Sequence, residues 1–149
     1  MRSVVQRVSS AGVDVDRKNV SSIGHGLMIL LGVKKGDTAA DLDWMADKVL
    51  NLRIFDDDTG VMNLSALDVR AEILVVSQFT LLADSRKGRR PSYLDAASPD
   101  EAKAMYERFC AKVEASGLVT RRGIFQAMMR VSLVNEGPVT ILLDSEKTF

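Results

Sequence analysis

Residues 72–82 (EILVVSQFTLL) decide the fold class of this chain. The first half is a run of aliphatic side chains, which predicts a strand buried within a sheet. The run ends in hydrogen-bonding side chains around Phe79, namely Ser77, Gln78 and Thr80. Such groups are costly to bury without partners, so they either pair inside the protein or face a ligand. The segment therefore predicts both a buried strand and a place where a ligand could bind.

Further strands are predicted on both sides of this segment. Residues 27–33 (LMILLGV) are dense enough in aliphatic side chains for a strand buried on both faces. Apolar residues alternate with others over 125–133, and this period of two predicts a long, half-buried strand. Residues 135–138 (NEGP) then predict a turn, and residues 139–143 (VTILL) a closing strand.

Two helices are predicted from their caps and apolar stripes. The first begins near Asp37 or Thr38, either of which can cap the free N–H groups. The second begins at the cap Ser98, has Pro99 at its first position and ends before Gly117. Together the elements predict one domain over residues 1–149, with a β-rich, mixed α/β fold. Its sheet is expected to be curled, two-layered and barrel-like, and to be covered by the two helices.

The composition limits the classes of function. Twenty Lys and Arg against twenty Asp and Glu argue against a protein that coats nucleic acid by bulk charge. One cysteine excludes an internal disulfide, and one histidine with one cysteine is too few for a His/Cys zinc site. No targeting signal begins the chain, and its longest apolar stretch is far shorter than the ~20 residues of a membrane span. We therefore expect a cytoplasmic protein with no membrane contact, no metal and no cofactor.

The common catalytic motifs are absent from the sequence, including GxSxG, HExxH, the Walker loop and the dinucleotide fingerprint. His25 lies between two glycines and has no second histidine or cysteine to complete a triad, so we interpret it as a surface residue. Cys110 borders the apolar stripe of the second helix and is expected to be a small buried side chain. Residues 56–58 (DDD) lack the spaced ligands of a calcium loop and predict a solvated turn.

A basic loop follows the central strand. Arg86, Lys87, Arg89 and Arg90 place four positive charges within five residues. One interpretation is a solvated loop that acidic residues balance elsewhere. The other is a local patch that binds phosphate groups on an otherwise neutral protein. Charge alone does not distinguish the two.

Taken together, these segments resemble the D-aminoacyl-tRNA deacylases of the bacterial and eukaryotic type over nearly the whole chain. The similarity includes residues 23–33 (IGHGLMILLGV), 75–81 (VVSQFTL) and 131–143 (VSLVNEGPVTILL). SQFTL and GPVT in this order and at this separation are highly specific for this family. The related achiral-specific deacylase lacks the SQFTL form. Two departures are local: Glu136 stands where the family usually has Asp, and Gln126 replaces a common Gly.

The resemblance implies an activity and an assembly. The chain would hydrolyse the ester that joins a D-amino acid to the 3′-terminal adenosine of tRNA, which is chiral proofreading in translation. It would have the deacylase fold, act as a homodimer, and contact the tRNA acceptor stem but no DNA. The catalytic pocket would be lined by Ser77, Gln78, Phe79 and Thr80.

The resemblance also implies roles for residues outside that pocket. The Gly137–Pro138 peptide would be cis and would reach into the active site of the partner subunit, where it selects against L-amino acids. Arg7 would bind this loop across the interface, and Met129 would lie in the pocket. Because a backbone barrier cannot reject an amino acid without a side chain, glycyl-tRNA would also be hydrolysed. We further expect Arg86, Lys87, Arg89 and Arg90 to contact acceptor-stem phosphates.

Such a site can work without a triad. An aminoacyl ester is already activated, and the neighbouring ribose 2′-OH lies within reach of its carbonyl, so orientation and hydrogen bonds to the oxyanion suffice. The main-chain N–H groups near Phe79 and Thr80 are the expected donors. One alternative makes Thr80 a nucleophile, which needs an adjacent base that the sequence does not offer. The other is a non-catalytic RNA-binding adaptor, against which the neutral charge and the few aromatics argue.

Overall fold

The computed structural model describes residues 1–148, and within them the chain forms eight strands, two α-helices and one short 3-10 helix. In chain order these are β1 (Arg2–Val15), β2 (Lys18–Ile23), β3 (Gly26–Gly32), α1 (Ala39–Asn51), β4 (Phe55–Asp56), β5 (Met62–Leu64), β6 (Glu72–Ser77), the 3-10 helix (Phe79–Leu82), α2 (Pro99–Glu114), β7 (Thr120–Arg122) and β8 (Arg130–Asp144).

Six of the strands form one sheet that curls until its ends meet. The strand order is β2-β1-β3-β6-β7, and β8 pairs with the free side of β1 along most of its length. The pairs β3–β6 and β6–β7 are parallel, and all pairs of β1 are antiparallel. The Ser21 hydroxyl in β2 donates a hydrogen bond to the main-chain oxygen of Arg122 in β7 at 2.9 Å. The two end strands of this order, β2 and β7, are therefore in contact, which confirms the predicted barrel-like sheet.

The central strands are buried on both faces, as predicted for residues 27–33. In β3, Leu27 and Ile29 belong to the apolar cluster between sheet and helices, whereas Met28 belongs to a second cluster inside the curled sheet. In β6, Val75 and Val76 alternate between the same two clusters. Side chains of a strand alternate in direction, so one strand contributes to both cores.

Both α-helices begin at the predicted caps. The Thr38 N–H donates to the Asp41 carboxylate at 2.8 Å, and the Asp41 N–H donates back to the Thr38 hydroxyl at 3.4 Å. At α2, the N–H and hydroxyl of Ser98 donate to the Glu101 carboxylate at 3.2 and 2.7 Å, and Pro99 is the first helical residue. These reciprocal bonds are capping boxes, which use local contacts alone to fix where a helix begins.

The prediction of one long strand over residues 125–133 is wrong for its first half. Residues 125–129 form a turn, and β8 begins at Arg130. Gln126 has a φ of +63°, a left-handed conformation that a strand does not accommodate. The period of two persists because Phe125, Ala127 and Met129 are partly buried whereas Gln126 and Met128 are exposed.

The prediction that residues 135–138 end the strand is also wrong. β8 continues to Asp144, and its pairing with β1 resumes after the irregularity. Val8 pairs with Asn135 and Gln6 pairs with Thr140, so residues 136–139 bulge outward opposite Arg7. A bulge bends a strand and redirects its residues without ending the pairing.

Candidate active site

A cavity of about 640 Å³ opens beside the end of β6. This volume is within the usual ~300–1,000 Å³ of small-molecule sites. Its wall combines Ser77 and Gln78 with apolar side chains from β3, α2 and the turn at 125–129, Met129 among them. None of the described residues in this wall is an Asp, Glu, His, Lys, Arg or Cys. The cavity therefore offers hydroxyl and amide groups and apolar surface, but no charged side chain.

The polar wall is formed by a tight turn that leaves β6. The Gln78 N–H donates to the main-chain oxygen of Leu31 at 2.8 Å, and the 3-10 helix begins at the next residue. This turn lies directly on Gly32 of β3. A Cβ at position 32 would lie 2.6 Å from Leu82 Cδ2 and 2.9 Å from the Gln78 oxygen. Only glycine at position 32 permits so close an approach.

The main-chain N–H groups of Phe79 and Thr80 donate to no acceptor within residues 1–148. The side-chain amide of Gln78 donates a hydrogen bond to the hydroxyl oxygen of Thr80. Thr80 does not itself line the cavity, so it joins the site through Gln78. The Phe79 ring is 55% exposed and packs edge-on against Tyr93, with ring centroids 5.1 Å apart. The structure thus brings Ser77, Gln78 and Phe79 together and leaves two amide donors unpaired.

Two titratable side chains lie near the cavity floor, and burial keeps both of them neutral. Burial raises the pKa of Tyr106 far above its usual range, and its hydroxyl donates to the Val75 oxygen at 2.8 Å. Burial likewise raises the pKa of Cys110 to about 11. Cys110 is fully buried, which confirms the interpretation of it as a small core residue. Neither group provides a base at neutral pH.

The Gly137–Pro138 peptide is cis and lies at the exposed tip of the β8 bulge. Neither residue lines the cavity of its own chain among the described residues. Gly137 has a φ of +122°, and a Cβ there would lie 2.8 Å from Val139 Cγ2 and 3.2 Å from Arg7 Nη2. The tip of this loop is therefore a position for glycine only.

Arg7 binds the same loop from beneath. Its buried guanidinium donates from Nε to the Glu136 oxygen at 3.3 Å. Nη1 donates to the Ile54 oxygen at 2.7 Å and to the Asp56 carboxylate at 3.2 Å. These contacts are within one chain, whereas the family resemblance implied binding across an interface. Arg7 thus links β1, the segment before β4 and the β8 bulge.

The basic loop is closed by its own hydrogen bonds. Asp84 and Ser92 exchange two main-chain hydrogen bonds of 2.8 and 2.9 Å. The Arg86 guanidinium binds the Asp84 carboxylate through two bonds of 2.8 and 2.7 Å, which holds the pKa of Asp84 well below its usual range. Lys87, Arg89 and Arg90 are exposed and form no ion pair within residues 1–148. Three of the four cations are therefore free to bind an anion.

The remaining candidates from the sequence have no place in the cavity wall. His25 is an exposed residue in the bend between β2 and β3, as interpreted. Asp57 accepts hydrogen bonds from the hydroxyl and N–H of Thr59 and from the Val61 N–H, and these hold its pKa at about 2. Within the described chain, no three His, Cys, Asp or Glu side chains are grouped as a metal site would require.

Sequence reasoning did not identify three residues that shape these sites. Gly32 lies under the Gln78 turn, Asp84 binds Arg86, and Glu136 contacts both Arg7 and His25. Each depends on an exposed pairing or on a contact with a distant part of the chain. The sequence carries no local signal for the contacts of Gly32 and Glu136, whereas Asp84 lies only two residues from Arg86.

Residues 4–144 match the family described as D-Tyr-tRNA(Tyr) deacylase. The chain is 60% identical over 149 residues to the D-aminoacyl-tRNA deacylase of Kosmotoga olearia and 56% identical to that of Thermotoga petrophila, with both chains covered completely in each comparison. It is also similar to the solved structure of the c-Myc DNA Unwinding Element Binding Protein. That similarity has a TM-score of 0.91 and 40% identity, and it covers 97% of this chain and 98% of the other. The structure of a probable eukaryotic D-amino acid tRNA deacylase shares the fold, with a TM-score of 0.81, 20% identity and coverage of 95% and 97%.

Proposed function

The chain belongs to the D-Tyr-tRNA(Tyr) deacylase family, and from this premise we propose that it hydrolyses D-aminoacyl-tRNA to a free D-amino acid and tRNA. The observation that carries the proposal is the cavity beside β6. Phe79 lines the cavity, and the turn at this wall holds two unpaired main-chain N–H groups, at Phe79 and Thr80, beside side chains that carry no charge. A reaction on a substrate that is already activated needs orientation and oxyanion donors more than it needs a base.

The chemistry divides between protein and substrate. Water attacks the carbonyl carbon of the ester, and the negative charge that develops on the carbonyl oxygen is stabilised by the Phe79 and Thr80 N–H groups. The ester bond to the ribose 3′ oxygen then breaks, and this oxygen takes a proton. The ribose 2′-OH lies beside the attacking water and the 3′ oxygen. It transfers the proton from the water to the 3′ oxygen. No side chain of the cavity wall is required to titrate.

An acyl-enzyme on Thr80 is a weaker candidate. A hydroxyl nucleophile must lose its proton to a nearby base. The partner of the Thr80 oxygen is the Gln78 amide, which donates a hydrogen bond and accepts no proton from the hydroxyl. The hydrogen-bond direction at Thr80 therefore favours a role in orienting the turn.

We further propose that two chains form the working unit. β8 pairs only with β1 among the described strands, so its other edge is open along 15 residues. Along it, Val131, Val134 and Leu142 are 37%, 57% and 58% exposed. Exposed apolar groups on a long open edge are characteristic of surfaces that another chain covers. In the dimer, the Gly137–Pro138 loop enters the cavity of the partner and completes the site.

The loop then selects the substrate by excluding the wrong enantiomer. Glycine lets the main chain approach the substrate Cα closely, so an L-side chain meets a wall of backbone atoms. A D-side chain points away from this wall, and glycine has no side chain to exclude. Broad activity on D-aminoacyl-tRNAs and measurable activity on glycyl-tRNA follow from this arrangement. Met129, in the cavity wall, contacts the aminoacyl group.

We assign the exposed cations of the basic loop to the acceptor stem. Lys87, Arg89 and Arg90 have no ion pair within residues 1–148 and supply the phosphate contacts, with Arg86 shared between Asp84 and RNA. The terminal adenosine lies at the rim beside Phe79. The site of action is the cytoplasm, where tRNA is charged. No helix within residues 1–148 has the length and apolar character for crossing a membrane.

One comparison tests the proposal. The purified chain is incubated with D-tyrosyl-tRNA, L-tyrosyl-tRNA and glycyl-tRNA, and the remaining ester is measured against spontaneous hydrolysis. We expect rapid loss of the D-ester, slower loss of the glycyl ester and almost none of the L-ester. Salt-sensitive RNA binding without any turnover would instead identify an RNA-binding adaptor. Equal rates on D- and L-esters would contradict selection by the Gly137–Pro138 loop.

A further inference from the structure

The imidazole of His25 lies against the side chain of Glu136. The distance between His25 Nε2 and Glu136 Oε2 is 3.2 Å, and the two side chains are 54% and 45% exposed. The imidazole also packs edge-on against Phe55, with ring centroids 5.3 Å apart. This contact links the bend between β2 and β3 to the bulge of β8. Because Phe55 supports one side of the ring, the imidazole is oriented toward the carboxylate.

Glu136 is bound on two sides and directly precedes Gly137. Its main-chain oxygen accepts a hydrogen bond from Arg7, whose charge is permanent. Its carboxylate faces His25, which is charged only when protonated. One of the two contacts that fix the loop therefore has a permanent positive charge, and the other is an ion pair only when the imidazole is protonated.

The other charged groups around His25 already have partners. The Glu72 carboxylate accepts a hydrogen bond from the Gly24 N–H at 2.7 Å, and the Glu72 N–H donates to the His25 oxygen. Asp56 pairs with Arg7 at 3.2 Å. Of the described carboxylates on β4, β6 and β8, only that of Glu136 forms an ion pair with the imidazole. The state of His25 therefore acts mainly on the Glu136–Pro138 segment.

We infer that His25 is a positioning residue for stereochemical selection: its ion pair with Glu136 fixes Gly137 and so strengthens rejection of L-aminoacyl-tRNA. The inference rests on the proposed function and deepens it. An ion pair between a protonated imidazole and a carboxylate is present at low pH and is lost as the imidazole loses its proton. Rejection of the L-substrate should consequently be stronger at pH 6 than at pH 8.

The test measures enzymatic rates on D- and L-tyrosyl-tRNA from pH 6 to pH 8, after subtraction of spontaneous ester hydrolysis at each pH. In the unmodified chain the D/L ratio should fall about two- to fivefold over this range, the size expected for one exposed ion pair. His25→Gln and Glu136→Gln should give a low ratio at every pH. His25→Lys, which keeps a positive charge, should restore a high ratio at pH 8. Lys103→Gln removes an exposed ion pair with Glu107 in α2 and should follow the unmodified chain.

A second readout is independent of activity. The chain has one histidine, so a change between pH 6 and pH 8 in the NMR amide signal of Gly137 is assigned to His25 when it disappears in His25→Gln. The chemical shift of this signal should change with pH in the unmodified chain and stay constant in Glu136→Gln. This measurement does not depend on whether L-ester hydrolysis can be detected. The inference would be overturned if neither the Gly137 signal nor the D/L ratio changed with pH or in these variants. Hydrolysis of the D-ester would in that case still support the proposed function. Loss of all hydrolysis in the unmodified chain would refute the proposed function instead.

Discussion

The side-chain amide of Gln78 donates its hydrogen bond to the hydroxyl oxygen of Thr80. This direction leaves the hydroxyl proton without a base to receive it. Thr80→Ala should therefore keep activity within about tenfold of the unmodified chain, the cost of one or two neutral hydrogen bonds. Single-turnover deacylation of D-tyrosyl-tRNA measures this directly. A loss of a thousandfold, or an acyl group trapped on Thr80, would make this residue the nucleophile.

The proton transfer should be performed by the 2′-OH of the substrate and not by a side chain of the protein. A tRNA that ends in 2′-deoxyadenosine and carries a D-amino acid should be hydrolysed roughly 10²- to 10⁴-fold more slowly, the usual contribution of a positioned proton donor or acceptor. Binding of this substrate, measured by competition, should change little. Equal rates on the deoxy and natural substrates would move the proton transfer to the protein.

Gly137→Ala should impair selection more than any other glycine substitution of similar backbone conformation. The new methyl group would meet Val139 and Arg7, and the positive φ would add about 1–2 kcal/mol of strain. We expect D-ester hydrolysis to fall and the D/L ratio to drop at least tenfold. Gly60→Ala is the matched control, because Gly60 also has a positive φ but nothing within 4 Å of the added atom. Equal behaviour of the two variants would argue against a role for the loop.

Replacing Lys87, Arg89 and Arg90 by Gln should weaken binding to tRNA and flatten its dependence on salt. Each lost phosphate contact lowers the steepness of log K against log salt by about 0.7–0.9, so three contacts lower it by about 2–3. Arg86→Gln alone should have a smaller effect, because Asp84 already binds that guanidinium. The control replaces Arg17, Lys18 and Lys48, which lie outside this loop. An unchanged slope in the loop variant would mean that these cations are only solvated.

The capping box of α1 should stabilise the protein at neutral pH and not in acid. Hydrogen bonds from the Thr38 hydroxyl and N–H lower the pKa of Asp41 to about 2. A carboxyl whose folded pKa is lowered contributes stability above its unfolded pKa of ~3.9, and that contribution is lost as the pH falls through 2. Asp41→Asn should cost about 1 kcal/mol in urea unfolding at pH 7 and almost nothing at pH 2. Asp58→Asn, in an exposed turn, should be neutral at both.

Local contacts made parts of this fold predictable from sequence. Thr38 and Ser98 fix their helices through residues three positions away, so both helix starts were correct. Burial on both faces of residues 27–33 followed from their composition alone. The turn at 125–129 was not predicted because apolar residues alternate along it as they do in a half-buried strand. The left-handed conformation of Gln126 leaves no mark on that pattern. The bulge opposite Arg7 depends on register with β1, which no local pattern reveals.

Some residues of the candidate site could likewise be predicted from the sequence, and others could not. Ser77 and Gln78 stood out because polar side chains at the end of an apolar strand need partners. Gly32 did not stand out, since its role depends on a turn that returns to β3 much later in the chain. The pair His25–Glu136 is separated by most of the sequence, and each residue alone is an ordinary exposed side chain.

The absence of charged side chains from the described wall of the cavity also determines how this site could be inhibited. Thiol- and imidazole-directed reagents have no target there, because Cys110 is buried and His25 lies outside the wall. An effective inhibitor would be an isostere that replaces the ester with a stable amide and matches the cavity in shape. Under the proposed mechanism, its strongest hydrogen bonds would come from the Phe79 and Thr80 N–H groups. Main-chain donors survive side-chain substitution, so resistance would have to arise from changes in the shape of the cavity.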